Sequence, residues 1–170
     1  AQLSYWAQAI LRESKSIRQA TGLTACAVSL PQVIKQVAGR IFESPKMLKW
    51  LVIGTGEVAQ QQLCFLKNMG VSSVHVVGRN RDKTSQLAVQ FGAEWSLMRD
   101  LSQALSEADV WVCSTASTLP FIGLGLVERV QKLRAHAPLL IADLAMPQDV
   151  ESEVANVSNT YVYYLAQLSN

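Results

Sequence analysis

Residues 48–59 read Leu-Lys-Trp-Leu-Val-Ile-Gly-Thr-Gly-Glu-Val-Ala, and they carry the clearest structural pattern in the chain. The apolar run before the first glycine is typical of a buried parallel strand, and the residues after the second glycine follow a helical pattern. A strand, a glycine turn and a helix in this order form the dinucleotide-binding fingerprint G-x-G-x-x-G/A. Gly54 permits the tight turn, Gly56 lets backbone N–H groups approach a pyrophosphate, and Ala59 lets the helix lie close to the strand. The alternative is a glycine turn that binds nothing.

The rest of the chain alternates between predicted strands and helices. Further strands are predicted at residues 74–77, 93–97, 110–113, 139–142 and 160–163. Helices are predicted at residues 58–69, 81–91, 101–108 and 127–133, with a short helix at 149–154. Such alternation predicts an α/β fold, a doubly wound parallel sheet with right-handed crossovers. With the fingerprint, it predicts a Rossmann-like dinucleotide-binding domain over residues 46–170.

Two amphipathic helices precede the fingerprint, one over residues 3–20 and one that starts at Ser29. The Ser29 side chain is of a type that caps helices, and Pro31 is tolerated in a first turn. We interpret residues 1–45 as an N-terminal helical connector. Because the chain begins at Ala1 within a helical pattern, we expect it to be a fragment of a longer protein.

Composition restricts the class of protein. The chain has 170 residues, an apolar fraction of 49% and a net charge of +2, which fit one α/β domain and do not by themselves indicate nucleic acid or membrane binding. Cys26, Cys64 and Cys113 are odd in number and lie far apart, which argues against disulfides and zinc, so we predict three buried apolar thiols in a reducing cytoplasm. No metal site, signal peptide or membrane span is predicted.

The end of the second predicted strand indicates which dinucleotide binds. NAD-binding folds usually carry a carboxylate there for the ribose 2′-hydroxyl, but this chain reads Val77-Gly-Arg-Asn-Arg81. Arginine pairs bidentately with phosphate oxygens, so Arg79 and then Arg81 favour NADPH with its 2′-phosphate. Alternatively, both are ordinary solvated arginines.

Two further loops follow the fourth and fifth predicted strands, at the edge of the sheet where ligands bind. Ser114, Thr115 and Ala116 could contact the cofactor, or they could form a turn or cap a helix. Asp143 is predicted to orient a neighbouring loop by accepting backbone N–H bonds.

Together these segments resemble the NADPH-binding domain of glutamyl-tRNA reductase. The resemblance rests on Leu51–Ala59, Gly78-Arg-Asn80, Ser114–Ala116 and Asp143–Asp149, and it extends to Ile17–Gly22 and Ala27–Ser29. It implies an NADPH-dependent reduction of glutamyl-tRNA to glutamate-1-semialdehyde in tetrapyrrole (porphyrin and haem) biosynthesis. In that reaction a cysteine of a separate catalytic domain attacks the glutamyl ester, and NADPH delivers hydride to the thioester.

The resemblance also implies roles for individual residues. It places the following residues at the cofactor: Gly54, Thr55, Gly56, Glu57, Val58, Ala59, Arg79, Ser114, Thr115, Ala116, Ala145 and Pro147. Gly78 departs from the family pattern, which usually has asparagine there, and Gln148 stands where arginine is usual. No cysteine of this chain matches the catalytic motif, so no catalytic residue is predicted and the chain alone should reduce nothing.

For the parent protein the resemblance implies contact with glutamyl-tRNA through the catalytic domain, a homodimer, and glutamate-1-semialdehyde aminotransferase as a partner. Two alternatives stay open. One is the NADP domain of a shikimate-type dehydrogenase, which predicts a substrate domain with a catalytic lysine and aspartate. The other is a non-catalytic NADP-sensing module.

Overall fold

A six-stranded parallel sheet forms the centre of the structure, a computed structural model that describes residues 29–165. The strands are β1 Lys49–Ile53, β2 Ser73–Gly78, β3 Glu94–Leu97, β4 Val110–Cys113, β5 Leu139–Asp143 and β6 Thr160–Tyr164. Their order in the sheet is β3-β2-β1-β4-β5-β6, and every neighbouring pair is parallel. The strand order reverses between β1 and β4, which is where open sheets of this kind form a ligand crevice. The predicted doubly wound α/β fold is confirmed.

Helices cover both faces of the sheet. They are α1 Leu30–Ile41, α2 Glu57–Met69, α3 Arg81–Phe91, α4 Leu101–Glu107 and α5 Leu124–Leu133, with short 3₁₀ helices at Pro45–Met47, Met98–Asp100 and Ser152–Asn156. Buried side chains of α1, α2 and α3 form one apolar cluster with the sheet, and those of α4 and α5 form a second cluster on the other face. Because both faces are covered, the central strands are apolar along their length rather than alternating.

Strand β1 shows how the two clusters share the sheet. Trp50 and Val52 belong to the cluster of α1, α2 and α3, whereas Leu51 and Ile53 belong to the cluster of α4 and α5. All four side chains are at most 1% exposed. The strand is therefore fixed from both sides, and it holds the turn that follows it in a rigid frame.

The structure departs from the sequence predictions at a few positions. Helix α1 begins after Ser29 as predicted, but the Ser29 side chain makes no capping hydrogen bond. Cys113 is buried as predicted, whereas Cys64 is exposed because it lies on the solvent side of α2. Cys26 and the helix predicted over residues 3–20 lie outside the described residues.

The short helix predicted over residues 149–154 is also wrong in its position. Val150 instead forms an isolated parallel bridge with Ile122, and the helical turn begins only at Ser152. The reason is a pairing between distant segments: the Ile122 N–H donates to the Asp149 carbonyl, and the Glu151 N–H donates to the Ile122 carbonyl. These bonds hold the backbone extended where local sequence suggested a helix.

Candidate cofactor site

The turn after β1 requires glycine at its first position. Gly54 has φ +121°, a conformation that L side chains rarely adopt, and its N–H donates to the carbonyl of Val77 at 2.8 Å. A Cβ atom at Gly54 would lie 2.7 Å from the backbone oxygen of Ser114. The glycine thus lets the chain leave β1 between its two neighbouring strands, β2 and β4.

Gly56 lies at the N-cap of α2 and leaves open space there. Its φ of −78° suits any residue, no side chain caps the helix, and a Cβ atom would meet nothing within 4 Å. The first N–H groups of a helix have no partner within it and carry the positive end of its dipole. Ala59, one turn on, is fully buried in the same apolar cluster as Val52, and α2 packs against β1 as predicted. The arrangement suits an anionic group against the start of α2.

Gly78, at the end of β2, is packed too tightly for a larger residue. A Cβ atom there would collide with Thr84 Oγ1 and lie 2.7 Å from Thr55 Cγ2. The Thr84 hydroxyl donates to the Asn80 carbonyl at 2.6 Å, which fixes it in place. The packing at the end of β2 therefore accommodates glycine and leaves no room for the asparagine of the family pattern.

The basic segment after β2 is exposed at the same edge of the sheet. Arg79 is exposed and forms no ion pair with any residue between 29 and 165. Asn80 caps α3, because its side chain accepts a hydrogen bond from the Lys83 N–H at 3.0 Å. The guanidinium carbon of Arg81 lies 5.7 Å from the centre of the Trp95 ring, within the range of a cation–π contact.

The loop after β4 is anchored to the loop after β5. The Ser114 N–H and hydroxyl both donate to the Ile53 carbonyl, at 2.9 and 3.3 Å. Thr115 donates twice to the Asp149 carboxylate, from its N–H at 3.0 Å and from its hydroxyl at 2.6 Å. The Thr115 hydroxyl is therefore engaged within the protein, and a contact of Thr115 with a cofactor stays a prediction.

Asp143 anchors the loop after β5, as the sequence predicted. Its carboxylate accepts hydrogen bonds from the N–H groups of Ala145 at 3.1 Å, Asp149 at 2.8 Å and Val150 at 2.9 Å. Burial raises the pKa of Asp143 to about 6, and the nearby Asp149 carboxylate adds to the rise, while the three N–H bonds oppose it. The two aspartates thus form a buried acidic link between the loops.

Two other titratable groups lie beside this link. Burial, and secondarily the charge of Asp143, raises the pKa of the Cys113 thiol well above its ordinary value. The same two causes raise the pKa of Tyr164 to about 12, and its hydroxyl donates to the Glu151 carbonyl at 2.9 Å. Cys113 is therefore a protonated, unreactive thiol at neutral pH, which fits its prediction as a buried apolar residue.

The remaining predicted site residues lie at the rim of the crevice. Ala116 and Pro147 are exposed, Ala145 is buried, and a cis peptide bond joins Met146 to Pro147. Glu57 and Val58 are exposed in the first turn of α2, and Thr55 is half-buried before it. All predicted positions thus follow the carboxyl ends of β1, β2, β4 and β5, the four strands around the reversal of strand order.

Two residues of this edge were not identified from the sequence. Asp149, the last residue of the Asp-Leu-Ala-Met-Pro-Gln-Asp segment, was assigned to a helix, although an acidic residue after a proline loop could have suggested a second anchor. Trp95 lies on the short strand β3, and nothing in the sequence links it to Arg81. Within residues 29–165, no group of three or more His, Cys, Asp or Glu side chains could hold a metal ion. No helix in that range combines the length and hydrophobicity of a membrane span.

Comparison with known proteins gives a consistent result. A family model described as Shikimate / quinate 5-dehydrogenase matches residues 36–170. A glutamyl-tRNA reductase of Idiomarina loihiensis is 35% identical over 163 residues, which is 96% of this chain and 38% of that protein. The structure of a glutamyl-tRNA reductase from Methanopyrus kandleri superposes with a TM-score of 0.77 at 31% identity, over 91% of this chain and 39% of that one.

A third similarity concerns the fold alone. The nucleotide-binding domain of a glutamyl-tRNA reductase from Thermoplasma volcanium has a TM-score of 0.62 at 20% identity, over 83% of this chain and 88% of that domain. The resemblance to glutamyl-tRNA reductases that the sequence predicted is thus confirmed. The chain spans about two fifths of the length of the longer relatives it matches.

Proposed function

The chain belongs to the shikimate / quinate 5-dehydrogenase family, and from this premise we propose that residues 46–170 form its NADPH-binding domain. One observation carries the proposal. Gly54 turns the chain between β2 and β4, so that the uncapped start of α2 faces open space at Gly56. A pyrophosphate fits this space, because the helix dipole and the free N–H groups attract an anion.

The residues at the end of β2 suit the adenosine half of NADPH. Arg79 is exposed, and no described carboxylate neutralises it. A guanidinium there would form charge-assisted, bidentate hydrogen bonds with a 2′-phosphate. A neutral 2′-hydroxyl offers no interaction of comparable strength. We therefore propose that Arg79, with Arg81, gives preference for NADPH over NADH.

The other half of the cofactor would lie toward the loops after β4 and β5. Asp143 and Asp149 hold these loops, so Ala116, Ala145 and Pro147 stand on a fixed backbone. When bound, NADPH supplies a hydride, and the protein contributes position and exclusion of water. No side chain of this site is assigned a catalytic role.

For the parent protein we propose reduction of glutamyl-tRNA to glutamate-1-semialdehyde, the first step of tetrapyrrole synthesis by the five-carbon route. Support comes from the glutamyl-tRNA reductases that this chain resembles over nearly its whole length. Contact with glutamyl-tRNA, a homodimer, an aminotransferase partner and a cytoplasmic location belong to the same proposal. The free thiols of Cys64 and Cys113 are consistent with a reducing compartment.

The family match keeps a second candidate open, the NADP domain of a shikimate-type dehydrogenase. The two candidates share the cofactor and differ in the substrate. Shikimate and NADP⁺ offered to the parent protein would give NADPH under the second candidate only. Glutamyl-tRNA and NADPH would give an aldehyde under the first candidate only.

A titration of the 170-residue chain with NADPH and NADH tests the cofactor proposal directly. The change in cofactor fluorescence reports binding. We expect both dinucleotides to bind saturably and NADPH to bind more tightly than NADH. Equal affinities would remove the role given to Arg79. Failure to bind either dinucleotide would refute the proposal as a whole.

A further inference from the structure

The contact between Arg81 and Trp95 connects two elements at the adenosine side of the site. Arg81 is the first residue of α3, and Trp95 lies in β3. In the sheet, Trp95 pairs with Val76, two residues before the end of β2 at Gly78. The 5.7 Å between the guanidinium carbon and the ring centre therefore places the Arg81 charge beside the segment that carries Arg79.

The ring holds the guanidinium without neutralising it. A carboxylate partner would cancel the charge and occupy the N–H donors, whereas an aromatic face attracts the cation and supplies no oxygen acceptor. Trp95 is half-buried in β3, which packs against α3, while Arg81 is exposed. The Arg81 donors thus remain available to an anion.

The surrounding charges favour an anion as well. Arg79, Arg81 and Lys83 are exposed within five residues of one another, and Asp82 is the acidic residue of that turn. Arg81 forms no ion pair with Asp82 or any other described carboxylate. Three cations against one carboxylate give a local positive charge at the end of β2.

We propose that Trp95 is a positioning residue that holds Arg81, so that Arg79 and Arg81 together bind the 2′-phosphate of NADPH. This inference rests on the proposed NADPH function and adds a specificity determinant to it. Trp95 acts through Arg81 and contacts no part of the cofactor itself. Without the ring, Arg81 would sample many side-chain rotamers, and the ordering of that side chain would count against binding.

The test uses the 170-residue chain and two fragments of the cofactor, 2′,5′-ADP and 5′-AMP, which differ only in the 2′-phosphate. Calorimetric titrations compare the wild-type chain with Trp95→Leu, Trp95→Phe, Arg81→Gln and the double variant Trp95→Leu/Arg81→Gln. We expect Trp95→Leu to weaken 2′,5′-ADP binding by about two- to fivefold, the range of an exposed cation–π contact, with 5′-AMP binding unchanged. Trp95→Phe keeps an aromatic face and should bind 2′,5′-ADP nearly as well as the wild-type chain.

The double variant decides whether Trp95 works through Arg81. If it does, Trp95→Leu should add little to the loss caused by Arg81→Gln. A further loss in the Arg81→Gln background, or an equal loss for 2′,5′-ADP and 5′-AMP, would overturn the proposal, because either result would give Trp95 a role in the fold or at the adenine.

Two other outcomes separate this inference from the proposed function. If Trp95→Leu does not fold, as judged by circular dichroism, Arg81→Gln alone remains decisive: unchanged 2′,5′-ADP binding would refute the inference. The wild-type chain could prefer NADPH over NADH, with Trp95→Leu and Arg81→Gln both leaving that preference unchanged. In that case the inference fails and the proposed function stands. If the wild-type chain binds neither dinucleotide, both fail together.

Discussion

Replacing Gly54 by alanine should destabilise the fold, whereas the same replacement at Gly56 should leave the fold intact and weaken NADPH binding. At Gly54 the φ of +121° costs a residue with a side chain about 1–3 kcal/mol. The new Cβ would also lie 2.7 Å from the Ser114 backbone oxygen, and relieving such overpacking costs about another 1–3 kcal/mol. The sum, roughly 2–6 kcal/mol, is a large share of the 5–15 kcal/mol by which domains are typically stable.

Gly56 is the matched control, because none of these costs applies there. Its φ of −78° suits alanine, and the added methyl group would meet nothing within 4 Å. We expect the free energy of unfolding to fall by only about 1 kcal/mol or less, because alanine is a poorer N-cap residue than glycine. The methyl group would, however, occupy the space proposed for the pyrophosphate, so the Kd for NADPH should rise about tenfold or more, on the order of 1.4 kcal/mol.

Thermal unfolding followed by circular dichroism measures the first effect, and a fluorescence titration with NADPH measures the second. For a domain of this size each kcal/mol shifts Tm by about 2–4 °C, so a loss of 2–6 kcal/mol in Gly54→Ala should lower Tm by roughly 4–24 °C. A Gly54→Ala chain with the Tm of the wild-type chain would refute the argument from backbone conformation. A Gly56→Ala chain with wild-type NADPH affinity would show that no phosphate approaches the start of α2.

Four further predictions concern other parts of the site. Arg79→Ala should weaken NADPH binding by about 1–3 kcal/mol, as for the loss of a hydrogen bond to a charged group, and should barely change NADH binding. Equal losses of NADPH and NADH affinity in paired titrations would mean that Arg79 has a structural role instead. Thr115→Val removes the hydroxyl that donates to Asp149 at 2.6 Å, so the free energy of unfolding, measured in urea, should fall by about 1–3 kcal/mol. Thr115→Ser keeps the donor, and its free energy of unfolding should be close to that of the wild-type chain. The pKa of Asp143 rises from 3.8 to about 6 on folding, so its contribution to stability is complete only below pH 3.8 and is lost as the pH rises through 6. Between pH 4 and 7 the wild-type chain should lose roughly 2 kcal/mol of unfolding free energy relative to Asp143→Asn, and parallel pH profiles would contradict this. The 170-residue chain mixed with glutamyl-tRNA and NADPH should form no aldehyde, and turnover in that assay would mean that a catalytic group lies within these residues.

The elements that local sequence controls could be predicted closely. Strand β4 has the predicted bounds because its four residues form an unbroken apolar run, as a central parallel strand requires. Helix α3 also has the predicted bounds, because Gly92 ends it in a left-handed conformation. In both cases the signal lies within the segment itself or directly beside it.

The segment after β5 could not be predicted in this way. Its backbone conformation depends on Asp143 at the end of β5, on Ile122 and on Thr115, and the last of these lies 34 residues away from Asp149. Helical propensity over residues 149–154 depends only on the local residues, so it could not reveal these distant partners. The same limit explains why Trp95 was missed, since its contact with Arg81 depends on how α3 and β3 pack.

For the site, sequence reasoning could name the positions but not their contacts. The glycine turn and the basic segment carry recognisable chemistry, so Gly54, Gly56 and Arg79 could be identified from residue type and spacing. Thr115 shows the limit, because the same hydroxyl suits a cofactor or an internal carboxylate, and its hydrogen bond to Asp149 appears only in the folded chain.

The raised pKa of Asp143 raises the question of why a carboxylate is buried at this position at all. Holding its charge at neutral pH costs about 3 kcal/mol, from a shift of about two pKa units. The carboxylate accepts three hydrogen bonds from the N–H groups of Ala145, Asp149 and Val150, all in buried surroundings. Each of those N–H groups left unpaired would cost about 1–3 kcal/mol, so an apolar residue at position 143 would lose roughly 3–9 kcal/mol. The balance favours the aspartate, because the loop that it holds bends away from β5 and leaves its own N–H groups without strand partners.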